Sequence, residues 1–338
     1  MNNNEGQESV LTMKAGYIAS QHISVVDRSI PQVDHDEVLV KTNLVGICQT
    51  DIELLHGYYH FEGIPGHEFV GTIESAPKHP ELIGVRVVAD INCGCHQCHR
   101  CLQGDPRHCA HRSVIGIRGR DGALAEYLKV PLENIHAVPQ QIEDHQAVFT
   151  EPLAAALEIT QQIHITNTDR VAVIGDGKLG LLIALALKHY CPGLVLLGKH
   201  TDNLQIVANQ DVATRQVPSE GTLSFLNTID KDFDIVIDAT GKPNGLNMGI
   251  ELVRPEGTIV LKTTSHLPSQ IHFAPVVVKE ITLIGSRCGD LSLALSFLKN
   301  KWIDVSPLID SIYPFHDLSK AFSRAQQPGI KKVLISMQ

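Results

Sequence analysis

Short β-like runs, separated by glycine and proline, dominate the first part of the chain. The stretches 37–41, 69–73 and 86–89 carry the valine, isoleucine and phenylalanine enrichment of strands, with turn residues between them. They predict an irregular, mainly β region reaching to about Pro152. Beyond Glu151 the texture changes. A helical run at 154–163 precedes an unbroken apolar strand at 170–175 and a helix at 178–190. A strand at 194–197, a helix at 202–209 and strands at 233–239 and 258–262 follow. Apolar strands alternating with helices predict a parallel sheet covered on both faces. The final segment adds a helix at 291–299 and a late strand at 332–336. The asparagine-rich start, 2–4, reads as a frayed terminus.

Bulk composition narrows the function classes. A chain of 338 residues is long enough for two domains, and 43% hydrophobic against 19% charged residues is a globular balance. The net charge of -9 argues against a nucleic-acid partner held by phosphate neutralisation. No block of like charges suggests a membrane patch. The first nine residues lack an apolar signal core, and the most apolar stretch, 171–198, is interrupted by Asp176, Lys178, Lys188, His189 and Pro192. A soluble, cytoplasmic protein is expected.

Five of the eight cysteines fall between Cys93 and Cys109. Cys95, Cys98 and Cys101 are separated by two-residue spacers, and Gly104 and Pro106 turn the chain back to Cys109. Four thiolates at this spacing suit a tetrahedral zinc ion, and a closed shell of this kind stabilises a lobe without doing chemistry. Cys93 is left as a spare thiol. His96, His99, His108 and His111 read as solvated loop residues.

A second motif follows the first apolar strand. Gly175-Asp-Gly177-Lys-Leu-Gly180 lies between that strand and an apolar helix, the context a dinucleotide-binding fingerprint requires. Gly175 permits the turn, Gly177 admits a pyrophosphate, and Gly180 lets helix and strand pack closely. Lys178 and Leu179 open the helix whose N-terminus attracts phosphate. The acid that meets the adenosine ribose of NAD is expected at the end of the next strand, but the chain there reads Gly198-Lys199-His200. A small residue followed by a cation favours NADP(H) over NAD(H), although Lys199 also fits a solvated surface lysine and Asp202 lies slightly further on. Thr240 and Gly241, after the strand at 233–239, are expected beside the cofactor.

Three further segments are Gly46-Ile-Cys48-Gln-Thr50-Asp51, Gly66-His67-Glu68 and Glu151-Pro-Leu-Ala. With the four-cysteine lobe and the fingerprint, their order resembles that of the zinc-containing medium-chain dehydrogenases over nearly the whole chain. The resemblance implies an α/β protein in which a Rossmann doubly wound parallel sheet is inserted in a chaperonin-10-like, mainly β catalytic domain. The expected boundaries are 1–152 (zinc lobe at about 91–112), 153–286 and a return at 287–338. It implies a second zinc ion per chain, held by Cys48 and His67. On the same resemblance Glu68 would be a direct or exchangeable ligand, and Glu151 would bind directly or through water. Asp51 would accept from the far ring nitrogen of His67. Singly, these residues also fit a core cysteine, a structural histidine and a helix N-terminal acid.

The resemblance further implies that zinc lowers the pKa of an alcohol while Thr50 starts the proton relay. Many relatives carry a histidine where this chain has Glu53, and His56 is the nearby substitute. Arg287 fits either a cofactor contact or an interdomain ion pair. The implied activity is hydride transfer between an alcohol or polyol, or the matching carbonyl compound, and NADP(H), in a homodimer or homotetramer. The alternatives are an NAD(H)-dependent sugar, polyol or amino-alcohol dehydrogenase, a zinc-free reductase of activated double bonds, and a non-catalytic nucleotide-sensing or scaffold protein.

Overall fold

The computed structural model describes residues 11–218, 225, 228–229, 231–263, 268 and 270–337. The asparagine-rich start lies outside them. The chain divides into two compact units. One comprises the residues up to Val148 with Ser311–Gln326 and Val333–Gln338, the other Phe149–Asp310 with Gln327–Lys332.

The first unit is mainly β. Its largest sheet has 7 strands, in the order Ile135–Ala137, Arg86–Ala89, Glu68–Ser75, Glu37–Gly46, Lys332–Ser336 and Ile309–Pro314, with Tyr127–Pro131 also paired to Glu37–Gly46. Along Glu37–Gly46 the residues Val38, Val40, Thr42 and Leu44 are buried, so period-two alternation sets one face inward. This strand pairs antiparallel with Glu68–Ser75, with Gly46 opposite Glu68. That register holds the segment just beyond Gly46 and the segment just before Glu68 at one end of the sheet. A 3-stranded sheet of Asn92–Cys93, Ser113–Ile115 and Gly119–Arg120 frames the cysteine-rich loop. A hairpin of Thr12–Ala19 and His22–Ser29 precedes both.

The second unit is doubly wound. Its 6 strands run Ala213–Gln216, Val195–Gly198, Val171–Ile174, Phe233–Asp238, Val253–Leu261 and Thr282–Gly285, every neighbouring pair parallel. Sequence order places the first of these strands third, the strand order of a Rossmann fold, with a crevice at its carboxyl edge. All four residues of Val171–Ile174 are buried, as is the helix Lys178–Leu187 from Gly180 onward. Continuous apolar runs therefore mark strands covered on both faces.

Several boundaries differ from the sequence reading: the strand expected at 258–262 spans Val253–Leu261, the helix expected at 178–190 ends at Leu187, and two further differences bear on the site. The helix expected at 154–163 spans Thr150–Gln162, so Glu151 lies in its first turn. Pro152 is tolerated there because its missing N–H would have no helical partner. The second unit also runs past 286 to Asp310. The helix Leu291–Lys299 packs on Thr150–Gln162, and its Phe297, 1% exposed, meets the Trp302 ring edge-on at 4.9 Å. Among the described residues no helix is long and apolar enough to cross a membrane.

Removing the Phe297 ring should cost about 3–5 kcal/mol. Urea unfolding of Phe297→Ala measures the loss, and hydrogen exchange should show reduced protection along Thr150–Gln162.

Candidate active site

In the first unit the sheet register has a chemical consequence. Cys48 is the N-cap of the helix Gln49–Leu55, and Glu68 opens the neighbouring strand with His67 just before it. One potential ligand atom from each of Cys48, His67 and Glu68 lies within 4.8 Å of the others. His67 and Glu68 are 3% and 1% exposed. Asp51, fully buried, organises the group. Its Oδ2 accepts the Cys48 N–H at 2.8 Å, and its Oδ1 accepts the Gly66 N–H at 3.1 Å. The same Oδ1 lies 3.4 Å from His67 Nδ1, an ion-pair contact aligned too poorly for a hydrogen bond. Burial opposes protonation of His67, but the charges of Asp51 and Cys48 outweigh it and raise its pKa well above the usual value. A half-buried cysteine gathered with a buried imidazole and a buried carboxylate fits a divalent transition metal. The Thr50 hydroxyl stands 3.8 Å from the Cys48 sulfur. Glu53 accepts from Gln49 at 2.9 Å, and the His56 ring meets Gln326 at 2.9 Å.

The loop after Asn92–Cys93 gathers Cys95, Cys98, Cys101 and Cys109, with sulfur atoms within 4.8 Å of one another. The backbone N–H groups of Gln97 and Cys98 push the Cys95 pKa down to about 6, whereas desolvation and neighbouring thiols push that of Cys101 up to about 11. Four converging thiolates repel unless a cation sits among them, which is the chemistry a zinc ion satisfies. Cys93 stays outside the group, buried, and burial raises its pKa to about 11.

The second unit contains a cleft of about 1280 Å³ at the carboxyl end of its sheet, lined by Gly175, Gly177, Gly198, Lys199, His200 and Thr240 among others. Gly175 has φ +108, which a side chain would strain, and a Cβ on Gly180 would collide with the Gly175 carbonyl. Gly177 faces open space. The fingerprint glycines thus serve turn, approach and packing. Lys178, Leu179 and Gly180 form the first helical turn behind the loop. Thr240 donates to Asp238 Oδ1 at 2.7 Å, and the Gly241 N–H donates to Thr263 at 3.0 Å.

Sequence reasoning missed Lys262, which follows the strand Val253–Leu261 and is 6% exposed. Its Nζ donates to the carbonyls of Ala155 (2.6 Å) and Arg287 (3.0 Å) and to the Ser286 hydroxyl (3.1 Å). It thereby ties the helix bearing Glu151 to the loop bearing Arg287. Burial lowers its pKa to about 8, while nearby Cys288, Glu151 and Glu158 oppose that shift. A charged residue closing an apolar strand was the available signal.

This arrangement is that of a two-domain dehydrogenase. A family model described as the alcohol dehydrogenase GroES-like domain matches residues 34–140, and one described as zinc-binding dehydrogenase matches 198–311. The starvation-sensing protein RspB of Escherichia coli K12 is 30% identical, over 90% of this chain and 93% of its own. Sorbitol dehydrogenase of Halalkalibacterium halodurans is 28% identical, over 93% and 96%. Among solved structures, RspB from Escherichia coli CFT073 complexed with NADH superposes with a TM-score of 0.90 at 26% identity, covering 96% of this chain and 99% of that one. A zinc-binding dehydrogenase from Sinorhizobium meliloti 1021 bound to NADP gives 0.88 at 26% identity with the same coverage. The chain belongs to the zinc-containing medium-chain dehydrogenase superfamily.

Two measurements probe these sites. Cys98→Ser should release about one metal ion per chain and cost several kcal/mol of stability, read by metal analysis and denaturant unfolding. For Lys262 the folded pKa of about 8 lies below the usual 10.5. Between these values the unfolded chain holds the proton and the folded chain does not, so stability rises with pH across that window. Subtracting the stability of Lys262→Met from that of the native chain should give a difference that grows by up to about 3 kcal/mol from the lower to the upper value.

Proposed function

We propose that the protein is a zinc-dependent dehydrogenase of polyols or related alcohols, exchanging a hydride between a CH–OH carbon and a nicotinamide dinucleotide. The observation that carries this reading is the gathering of Cys48, His67 and Glu68 within 4.8 Å, with Thr50 beside the thiol. These residues would hold zinc, with Glu151 retained as a further ligand on the sequence resemblance. Zinc bound there supplies Lewis-acid polarisation of the alcohol or carbonyl oxygen. Asp51 fixes the backbone at Cys48 and Gly66 and faces the His67 ring, so the donors are oriented before a metal arrives. The Thr50 hydroxyl is placed to take the proton of a substrate hydroxyl. Beyond it His56 is the nearby residue for the outer relay, with its Nε2 bonded to Gln326.

The cleft of the second unit would hold the dinucleotide, its pyrophosphate against Gly177. The NADP(H) preference expected from Gly198 and Lys199 is not carried forward, because spacing alone does not register the carboxylate lying against Gly198. The polyol class follows relatives named for sorbitol and D-arabitol phosphate, each over at least 93% of its own length. A zinc-free reductase has no use for the three gathered donors. The four-cysteine group would hold a second, structural zinc, and the homodimer or homotetramer suggested by the resemblance stands as part of the proposal.

Two zinc ions per chain by metal analysis, and oxidation within a panel of polyols and simple alcohols read by nicotinamide absorbance, support the proposal. One zinc and no turnover would refute it. Thr50→Ala should lower kcat by about 10²-fold or more while leaving cofactor affinity unchanged. Unaltered turnover would remove Thr50 from the relay.

A further inference from the structure

The fingerprint leaves its second position unspecified, and here that position is Asp176, 5% exposed. Asp176 Oδ2 accepts the backbone N–H groups of Lys199 (3.0 Å) and His200 (2.6 Å), and the His200 Nδ1–H lies 3.1 Å away. Asn203 Nδ2 donates to the Asp176 carbonyl at 2.9 Å and anchors its backbone. Two consecutive amides converging on one oxygen, beside an imidazole, form an anion-binding nest. This nest lies at the end of the strand Val195–Gly198, where a doubly wound fold meets the adenosine ribose. Asp176, Gly198, Lys199 and His200 all line the same cleft.

Gly198 and Asp176 are sterically matched. A Cβ on Gly198 would stand 2.5 Å from the Asp176 Cβ and 2.8 Å from its Oδ2. An acid at 198 is therefore incompatible with Asp176. The carboxylate usual at that strand end is delivered from the adjoining glycine loop.

We propose that Asp176 selects the cofactor: its carboxylate fills the nest a 2′-phosphate would enter and offers Oδ1 to a ribose hydroxyl, so the cleft takes NAD(H) in preference to NADP(H). A phosphate would have to displace the carboxylate from its amides or lie beside it, and both arrangements oppose like charges in a partly buried site. Oδ1 keeps acceptor capacity, since among the described contacts it receives only the His200 ring, at 3.2 Å. Lys199 and His200, which on sequence alone favour the phosphate, become available to it once the carboxylate is gone. The inference rests on the dinucleotide reading of this cleft and on no assignment of substrate or metal.

The test is fluorescence titration of the purified full chain with NADH and NADPH, without substrate. The native chain should bind NADH more tightly. Asp176→Asn and Asp176→Gly should each shift the affinity ratio toward NADPH by about tenfold or more. Asp176→Asn keeps the side-chain volume and an amide acceptor, so it serves if Asp176→Gly does not fold. The exchange Asp176→Gly with Gly198→Asp should restore the preference for NADH. Tighter NADPH binding by the native chain, or an unchanged ratio in Asp176→Asn, overturns the proposal alone. A native chain that binds neither nucleotide overturns the dinucleotide reading with it.

Discussion

Asp51 is the constraint on which the candidate active site depends. A fully buried carboxylate is costly unless its lone pairs are engaged, and this one is engaged by two backbone N–H groups from separate segments and by an imidazole edge. The Cys48 N–H belongs to the helix N-cap just beyond one strand and the Gly66 N–H to the approach to its neighbour. The carboxylate therefore links the two segments carrying the donors Cys48, His67 and Glu68. The antiparallel register between Gly46 and Glu68 brings these segments to one edge of the sheet, and Asp51 fixes them within it. Its neutralisation would leave the register intact and the donors without their common anchor.

The same physical device recurs in the second unit. Asp176 binds two amides and so fixes the turn after one strand, while Lys262 donates to two carbonyls and a hydroxyl and fixes the loops after another. Each is a buried charge satisfied largely by backbone, and each lies at the carboxyl edge of a parallel sheet. Loops there must be ordered enough to present functional groups yet cannot be held by a ladder of strand hydrogen bonds. A buried charge with several backbone partners holds such a loop in one conformation, because releasing any partner would expose its full desolvation cost.

What could be read from the sequence follows the same division. The covered parallel sheet was legible because strands buried on both faces are apolar throughout, as Val171–Ile174 is, its doubly wound order came from the resemblance, and the fingerprint was legible because its glycines answer steric demands. The four cysteines were legible from spacing, and the donor set from a resemblance. The helix beginning at Thr150 was missed by four residues because Pro152 reads as a breaker except in a first turn. The end of the second unit was missed because the apolar face of Leu291–Lys299 does not name its partner helix. Asp176 and Lys262 were missed for a deeper reason. Their roles depend on backbone atoms of distant residues, and a backbone amide has no signature in the sequence.

The two groups of potential metal donors in the first unit differ in how their surroundings order them. The four-cysteine group offers four like donors on one short segment, none more than 14 positions from another. A metal bound there would hold the four thiolates together and so add to the order of the segment. The Cys48 group offers three unlike donors on a strand pair that Asp51 and the sheet ladder have already ordered. Three donors leave coordination positions for a substrate oxygen. At the Cys48 group the buried carboxylate carries structural load, a share of which would fall to a bound metal in the cysteine lobe.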